Sequence, residues 1–129
     1  MLFESKLRDH SVIVDVPAGM DGKDRGPTPR ERFIASLGSW VGAFVAQYCG
    51  RSGIDASDMT IDVTFDKVEN PTRLSNLKIR VEMPHGQCAD REKAIHRVAE
   101  HCPVHETILT LQGIDIDILG KEQLAAAAA

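Results

Sequence analysis

The feature that most constrains the fold of this chain is an apolar stretch between Phe33 and Cys49. Its plainly polar residues are Ser36, Ser39 and Gln47. A helix that is apolar nearly all round must be buried along its length, so this stretch predicts a central helix. A chain of 129 residues has room for one such domain and its core, and a second independent domain is not expected.

The ends of this helix are marked by residues that suit helix termini. Thr28 can cap the first turn and Pro29 is tolerated within it, while Gly50 or Gly53 ends the helix. Small residues recur along one stripe at steps of four, three and four: Ala35, Ser39, Gly42 and Ala46. The stripe fits close packing within the chain or a helix pair across a dimer interface.

Four segments alternate apolar and polar residues, as half-buried strands do. Their apolar members are Val12, Val14 and Val16; Ile61, Val63 and Phe65; Ile79, Val81 and Met83; and Ile114, Ile116 and Ile118. Asn and Pro in residues 70–73 predict a turn that closes a hairpin between the second and third segments. We expect antiparallel strands with one face in water.

A second helix is predicted from Asp90 to His101. Asp90 can cap it, and Pro103 ends it. Its apolar positions follow helical spacing: Ile95, Val98, Ala99 and Cys102. Cys102 is therefore expected to point inward at the end of this helix.

Composition excludes several classes of partner. The net charge is -4 and no basic stripe is present, so nucleic acid is not an expected partner.

No signal peptide and no apolar run of ~20 residues is found, which predicts a cytoplasmic protein without a membrane span. Three cysteines without regular spacing argue against a disulfide framework and suit a reducing compartment.

Metal binding is not expected either. Four histidines lie near Cys88 and Cys102 in sequence, but only Cys102 and His105 form a close pair, and zinc sites usually combine two compact pairs. We expect no metal and no cofactor.

The sequence GPTPRERFIASLGS, the long apolar helix, the strand hairpin and the later HCPVHETI together resemble the OsmC/Ohr family of osmotically inducible and organic hydroperoxide resistance proteins. This resemblance covers residues 26–118; residues 1–25 then supply N-terminal strands and a loop, and residues 119–129 a tail of the same single domain. It implies an α+β fold in which antiparallel sheets wrap around central helices in an intertwined homodimer.

The resemblance also implies a chemistry and locates its residues. In active members a thiolate on the first long helix attacks the peroxide, and a second cysteine resolves the sulfenic acid as a disulfide. The second cysteine corresponds to Cys102, and a family glutamate corresponds approximately to Glu31. The position of the first cysteine, eleven residues after Pro29, holds Trp40. An indole is not a nucleophile toward peroxides, so the two-cysteine cycle cannot run in this chain.

Two functions remain open, and with them the question of whether the chain is an enzyme. One is a stress-related protein that has lost peroxidase activity and binds a small hydrophobic ligand in an apolar dimer-interface pocket of Trp40, Phe44 and Cys102. The alternative is a thiol-dependent hydroperoxide reductase or redox sensor that acts through Cys102. The other cysteines are interpreted as a buried core residue, Cys49, and a loop thiol, Cys88. The replacement of the first cysteine favours the non-peroxidatic protein.

Overall fold

The structure is a computed structural model that describes residues 2–129. Its elements follow the chain in this order: β1 (Phe3–Leu7), β2 (His10–Val14), a short 3-10 helix (Ala18–Met20), α1 (Pro29–Ser52), β3 (Thr60–Val68), β4 (Arg73–Glu82), α2 (Glu92–Glu100), α3 (Pro103–Thr110) and α4 (Lys121–Ala128). The strands come in consecutive pairs that do not alternate one by one with helices, and the fold is α+β as expected.

The central helix forms where the sequence predicts it. Thr28 caps α1: its hydroxyl accepts a hydrogen bond from the Glu31 N–H, and the Glu31 carboxylate accepts one from the Thr28 N–H. Gly53 ends the helix in the left-handed conformation. The expectation that α1 is buried all round is wrong for the single chain, because the helix packs on β3, α2 and α3 along one face only.

The strands form two separate antiparallel hairpins, β1–β2 and β3–β4. In β3 the alternation is as predicted: Ile61, Val63 and Phe65 lie on the partly buried face, and the residues between them are exposed. That face packs on α1 at Gly42, where a methyl group would lie 2.2 Å from Ile61 Cδ1. Glycine therefore lets β3 approach the helix closely.

The predicted small-residue stripe on α1 is divided between two environments. Gly42 is buried against β3, which is packing within the chain, whereas Ala35, Ser39 and Ala46 are exposed. By length and composition alone, α1 could cross a bilayer, but the core helix of a soluble protein meets the same two criteria. One face of α1 packs against other elements of the same chain.

The second predicted helix is shorter than expected and is followed by one that was not predicted. Residues 88–91 form a turn in which the Arg91 N–H donates to the Cys88 carbonyl, so Asp90 does not cap α2. Pro103 ends α2 as predicted but also opens α3, with Cys102 as its N-cap. Proline at the first helical position and Glu106 in the first turn are the signals that could have predicted α3.

The strand predicted over Ile114, Ile116 and Ile118 is absent from the described chain. Residues 111–120 have no regular secondary structure, and the three isoleucine side chains are exposed. A strand needs a neighbouring edge to satisfy its backbone groups, and this segment pairs with none in the single chain. The tail that follows is the exposed helix α4.

Candidate functional site

An open apolar cavity of about 790 Å³ lies between α1, β4, α2 and α3. Its floor is made by Leu37, Val41 and Val45 of α1, and its opposite wall by alternate residues of β4. The same β4 residues that the alternation assigns to the buried face thus form the wall. Ile108 and Leu109 of α3 close one side. The volume is in the range of sites that hold drug-sized ligands.

Polar groups of α2 and α3 also line this cavity: Glu92, His96, Glu100 and His105. His96 Nδ1 lies 3.3 Å from a Glu100 carboxylate oxygen, one helical turn away. An apolar floor with polar groups along one wall suits a molecule that is mostly hydrophobic and has a polar group. Periodicity indicated the apolar face of each element but not that these faces leave a space between them.

Cys102 is fully buried in the core beside this cavity. It belongs to a buried cluster with Val41, Val45, Cys49 and Ile95. Its sulfur accepts a hydrogen bond from the His105 N–H at 3.3 Å, at the N-terminus of α3. The prediction that this side chain points inward is confirmed, but Cys102 lies beyond α2 as the N-cap of α3 and not on the apolar face of α2. The thiol is free but has no exposure to solvent.

The other two cysteines lie close to each other near the Met83 end of the cavity. Cys49 is fully buried, with its sulfur 3.6 Å from the Met83 sulfur. Burial raises the pKa of the Cys49 thiol, and the neighbouring Cys88 adds to this increase. Cys88 is partly exposed and lines the cavity. Cys49 is therefore a core residue, as interpreted from the sequence, and Cys88 is the most accessible of the three thiols.

Trp40 lies at the margin of the core rather than within it. Its side chain is 40% exposed, and its ring lies 5.6 Å from the Phe44 ring. Phe44 in turn packs against the cluster that contains Cys102. The three residues of the sequence-based pocket are thus connected through Phe44, but none of them lines the open cavity.

Glu31 and its neighbours are engaged at the start of α1. The Glu31 carboxylate accepts a hydrogen bond from the Thr28 N–H at 2.8 Å, so Glu31 is part of the capping box of α1. The Arg30 guanidinium lies 5.7 Å from the centre of the Phe65 ring, a cation–π distance. Within residues 2–129, no group of three or more His, Cys, Asp or Glu side chains is arranged to hold a metal ion.

A buried carboxylate that the sequence analysis missed organises the loop before α1. Asp15 is 1% exposed, and its carboxylate accepts a hydrogen bond from Arg25 Nε at 2.9 Å. It also accepts from three backbone N–H groups, those of Val16, Lys23 and Arg25. The hydrogen bond from Arg25 and these N–H groups hold the pKa of Asp15 far below its ordinary value, and burial opposes them.

Comparisons with known proteins agree with this architecture. The profile of the family described as OsmC-like protein matches residues 22–118. Curated protein sequences gave no match. A structure from Psychrobacter arcticus 273-4, named for osmotic stress induction and a detoxification response, is 20% identical with a TM-score of 0.69, over 82% of this chain and 85% of its own.

Two further structures have the same fold. An OsmC-like protein from Mycoplasma pneumoniae is 18% identical, with a TM-score of 0.67 over 90% of this chain and 84% of its own. An organic hydroperoxide resistance protein from Legionella pneumophila is 16% identical, with a TM-score of 0.55 over 85% of this chain and 88% of its own. At these identities the structural similarity establishes the fold alone.

Proposed function

The chain belongs to the OsmC-like protein family, and we propose that it is a stress-related member without two-cysteine peroxidase activity, which binds a small hydrophobic ligand as a cytoplasmic homodimer. The observation that carries the first part is Trp40, eleven residues after Pro29 on α1. Reduction of a peroxide by this family's route needs a thiolate at that position. The indole has no lone pair available for attack on the peroxide oxygen.

The ligand is proposed to occupy the cavity between α1, β4, α2 and α3. The support is its volume of about 790 Å³ and its apolar floor. This site replaces the smaller pocket of Trp40, Phe44 and Cys102 as the candidate, because the open space lies on the β4 side of α1. A neutral or cationic polar group on the ligand suits the two carboxylates, Glu92 and Glu100, that α2 contributes to the lining.

The homodimer is supported by the exposed face of α1. This face carries no charge between Phe33 and Gly50, and apart from Gln47 its exposed residues are small or apolar: Ala35, Ser36, Ser39, Trp40, Ala43, Ala46 and Gln47. An uncharged patch of this length that includes an exposed Trp indicates an interaction surface in a soluble protein. Small side chains allow a second helix to approach closely, so the same face of another copy is a fitting partner.

The alternative function acts through Cys102. Its sulfur lies at the N-terminus of α3 and accepts the His105 N–H, a position that reactive thiols often occupy. Its complete burial argues against attack on a substrate from solvent. A single-thiol reductase or sensor would require this site to open.

A peroxide assay distinguishes the two functions. With an alkyl hydroperoxide and a dithiol reductant, the wild-type chain should consume no peroxide above background, because position 40 has no thiol. Trp40→Cys should gain slow turnover and, after one equivalent of hydroperoxide, a disulfide between positions 40 and 102, seen by peptide mass mapping. Trp40→Cys with Cys102→Ser is the control and should form no such bond.

Two outcomes would count against the proposal. Rapid turnover by the wild type that is lost in Cys102→Ser would establish the thiol-dependent alternative. A folded Trp40→Cys dimer without the disulfide would mean that positions 40 and 102 do not form a reaction centre in this chain.

Ligand binding can be tested with Nile red, an uncharged apolar fluorescent probe. Ala99 lines the cavity, so Ala99→Phe should fill part of it and weaken dye binding about tenfold. Ala126→Phe adds the same ring to the exposed helix α4 and should leave the affinity unchanged. Equal dye affinity in wild type and Ala99→Phe would exclude the cavity as the binding site.

A further inference from the structure

We propose that the sulfur atoms of Cys49, Met83 and Cys88, here called the sulfur cluster, form a binding site for a soft monovalent metal ion, Cu(I). The cluster lies at one end of the apolar cavity, where Met83 and Cys88 line the wall. This site is independent of the proposed hydrophobic ligand, because it binds through sulfur atoms and not through the apolar floor of the cavity.

Two sulfurs of the cluster are in direct contact. The Cys49 and Met83 sulfurs lie 3.6 Å apart. A metal–sulfur bond is about 2.3 Å long in zinc thiolate sites, so two sulfurs bound to one ion are at most ~4.6 Å apart. The observed separation therefore fits two ligands of a single ion.

The turn after β4 brings Cys88 to the same place. The Met83 carbonyl accepts a hydrogen bond from the Gly86 N–H at 3.2 Å, and the Cys88 carbonyl accepts one from the Arg91 N–H at 2.8 Å. A methyl group added at Gly86 would lie 3.2 Å from the Cys88 sulfur and 3.2 Å from Met83 Cβ. Cys88 and Met83 thus face the same small space, and Cys88 also packs against the core cluster that contains Cys49.

The kinds of ligand in the cluster select the metal. Thiolates and thioethers are soft ligands that suit Cu(I), whereas Mg²⁺, Ca²⁺ and Mn²⁺ prefer oxygen. Zinc is bound in proteins by Cys, His, Asp and Glu, and a thioether is not among its usual ligands. The Cys and His spacing that argued against zinc in the sequence does not include Met83. Its thioether is what distinguishes this set from a zinc site.

The cluster has both an entrance and a dry interior. Cys88 is partly exposed and Met83 lines the open cavity, so an ion can reach both sulfurs from the cavity. Cys49 has no exposure to solvent. An apolar shell around a metal limits the access of water to it. The arrangement therefore meets two requirements of a metal site, an entry path and ligands that converge.

Competition with the chromogenic Cu(I) chelator bathocuproine disulfonate, without oxygen and with ascorbate as the reductant, tests the site. The wild type should bind one Cu(I) per chain. Cys88→Ser removes a thiolate and should raise the dissociation constant for Cu(I) at least ~100-fold, whereas Met83→Leu removes a neutral thioether and should raise it about tenfold. Met20→Leu changes an exposed methionine and is the control, with no expected change.

Both ligand variants should retain the fold. Met83→Leu conserves the side-chain volume closely, and Cys88 is only partly buried. X-ray absorption at the copper edge reads the ligands directly, with three sulfur neighbours expected in the wild type and two in Met83→Leu. A wild-type ion surrounded mainly by nitrogen or oxygen would overturn the assignment.

Gly86→Ala tests the geometry without removing a sulfur. The new methyl group would lie 3.0 Å from the Asp55 carbonyl oxygen and 3.2 Å from the Cys88 sulfur, so the turn must shift. We expect a dissociation constant for Cu(I) several-fold above that of the wild type. Gly113→Ala is the control, because a methyl group there has open space among the described residues. Equal affinity in Gly86→Ala and the wild type would mean that this turn does not position the ligands.

Two further results would overturn the proposal. A wild-type chain that takes no Cu(I) from the chelator has no such site. A loss of affinity in Cys102→Ser as large as that in Cys88→Ser would place the ion at other thiols. Nile red binding is measured without copper, so failure of the copper site leaves the proposed function standing, and failure of dye binding leaves the copper site standing.

Discussion

The two faces of α1 are both uncharged between Phe33 and Gly50 but have different neighbours. One face, with Leu37, Val41 and Val45, is buried against the rest of the chain. The other combines small and polar residues with the exposed side chains of Trp40 and Ala43. Hydrophobicity predicts that both faces must be covered, but it does not indicate whether the covering atoms belong to the same chain. A small domain can therefore have a central helix that its own chain covers on one face only.

The largest expected effect comes from a charge on the exposed face. In Ala43→Glu the carboxylate would be buried without a partner in the proposed dimer, which is strongly unfavourable. We expect the dimer dissociation constant to rise by at least ~100-fold, which is ~2.7 kcal/mol, while the helical circular dichroism of the chain is retained. Ala126→Glu on α4 is the control. An unchanged dimer would show that this face of α1 is not the interface.

On the buried face, a substitution should change the stability of the fold. Leu37 is 3% exposed and packs in the core, so Leu37→Ala should lower the free energy of unfolding by roughly 2–5 kcal/mol. Urea denaturation measures this loss. Gln47→Ala, on the exposed face, should cost less than about 0.5 kcal/mol in the isolated chain. Similar losses for the two variants would remove the distinction between the faces.

Sequence patterns predicted the parts of the fold that depend on local chemistry. Thr28, Pro29 and Gly53 define the ends of α1 because capping acts within one turn of the helix. The β3–β4 hairpin follows from alternation with a turn between its strands. The prediction of a strand over residues 114–118 is wrong. The segment has the alternation of a strand, but pairing depends on a distant sheet edge that the sequence does not identify.

The candidate site was less predictable than the fold. Helical spacing predicted that Cys102 points inward, and Cys102 is buried, but it lies outside α2 in the turn where it caps α3. The cavity is the space between α1, β4, α2 and α3, and no short motif encodes the spacing of elements that are distant in sequence. Asp15 was missed because its role depends on Arg25 and on backbone groups of an irregular loop, for which periodicity gives no signal.

The smallest effect we predict concerns this loop, which leads into α1 and so helps to set the direction of its two faces. The Asp15 N–H donates to the Pro27 carbonyl at 3.3 Å, directly before the helix cap. The hydrogen bond from Arg25 lowers the pKa of the Asp15 carboxyl in the folded chain. Since the folded pKa lies below the unfolded value of about 3.9, Asp15 stabilises the fold fully above roughly pH 5, and this stabilisation is lost as the pH falls.

Asp15→Asn should therefore be less stable than wild type at pH 7, and the difference should shrink toward pH 3. Urea denaturation at both pH values measures it, with Asp9→Asn in the exposed β1–β2 turn as the control. A difference that is the same at both pH values would mean that the Asp15 side chain acts through its shape rather than its charge. The loop would then orient α1 by packing alone.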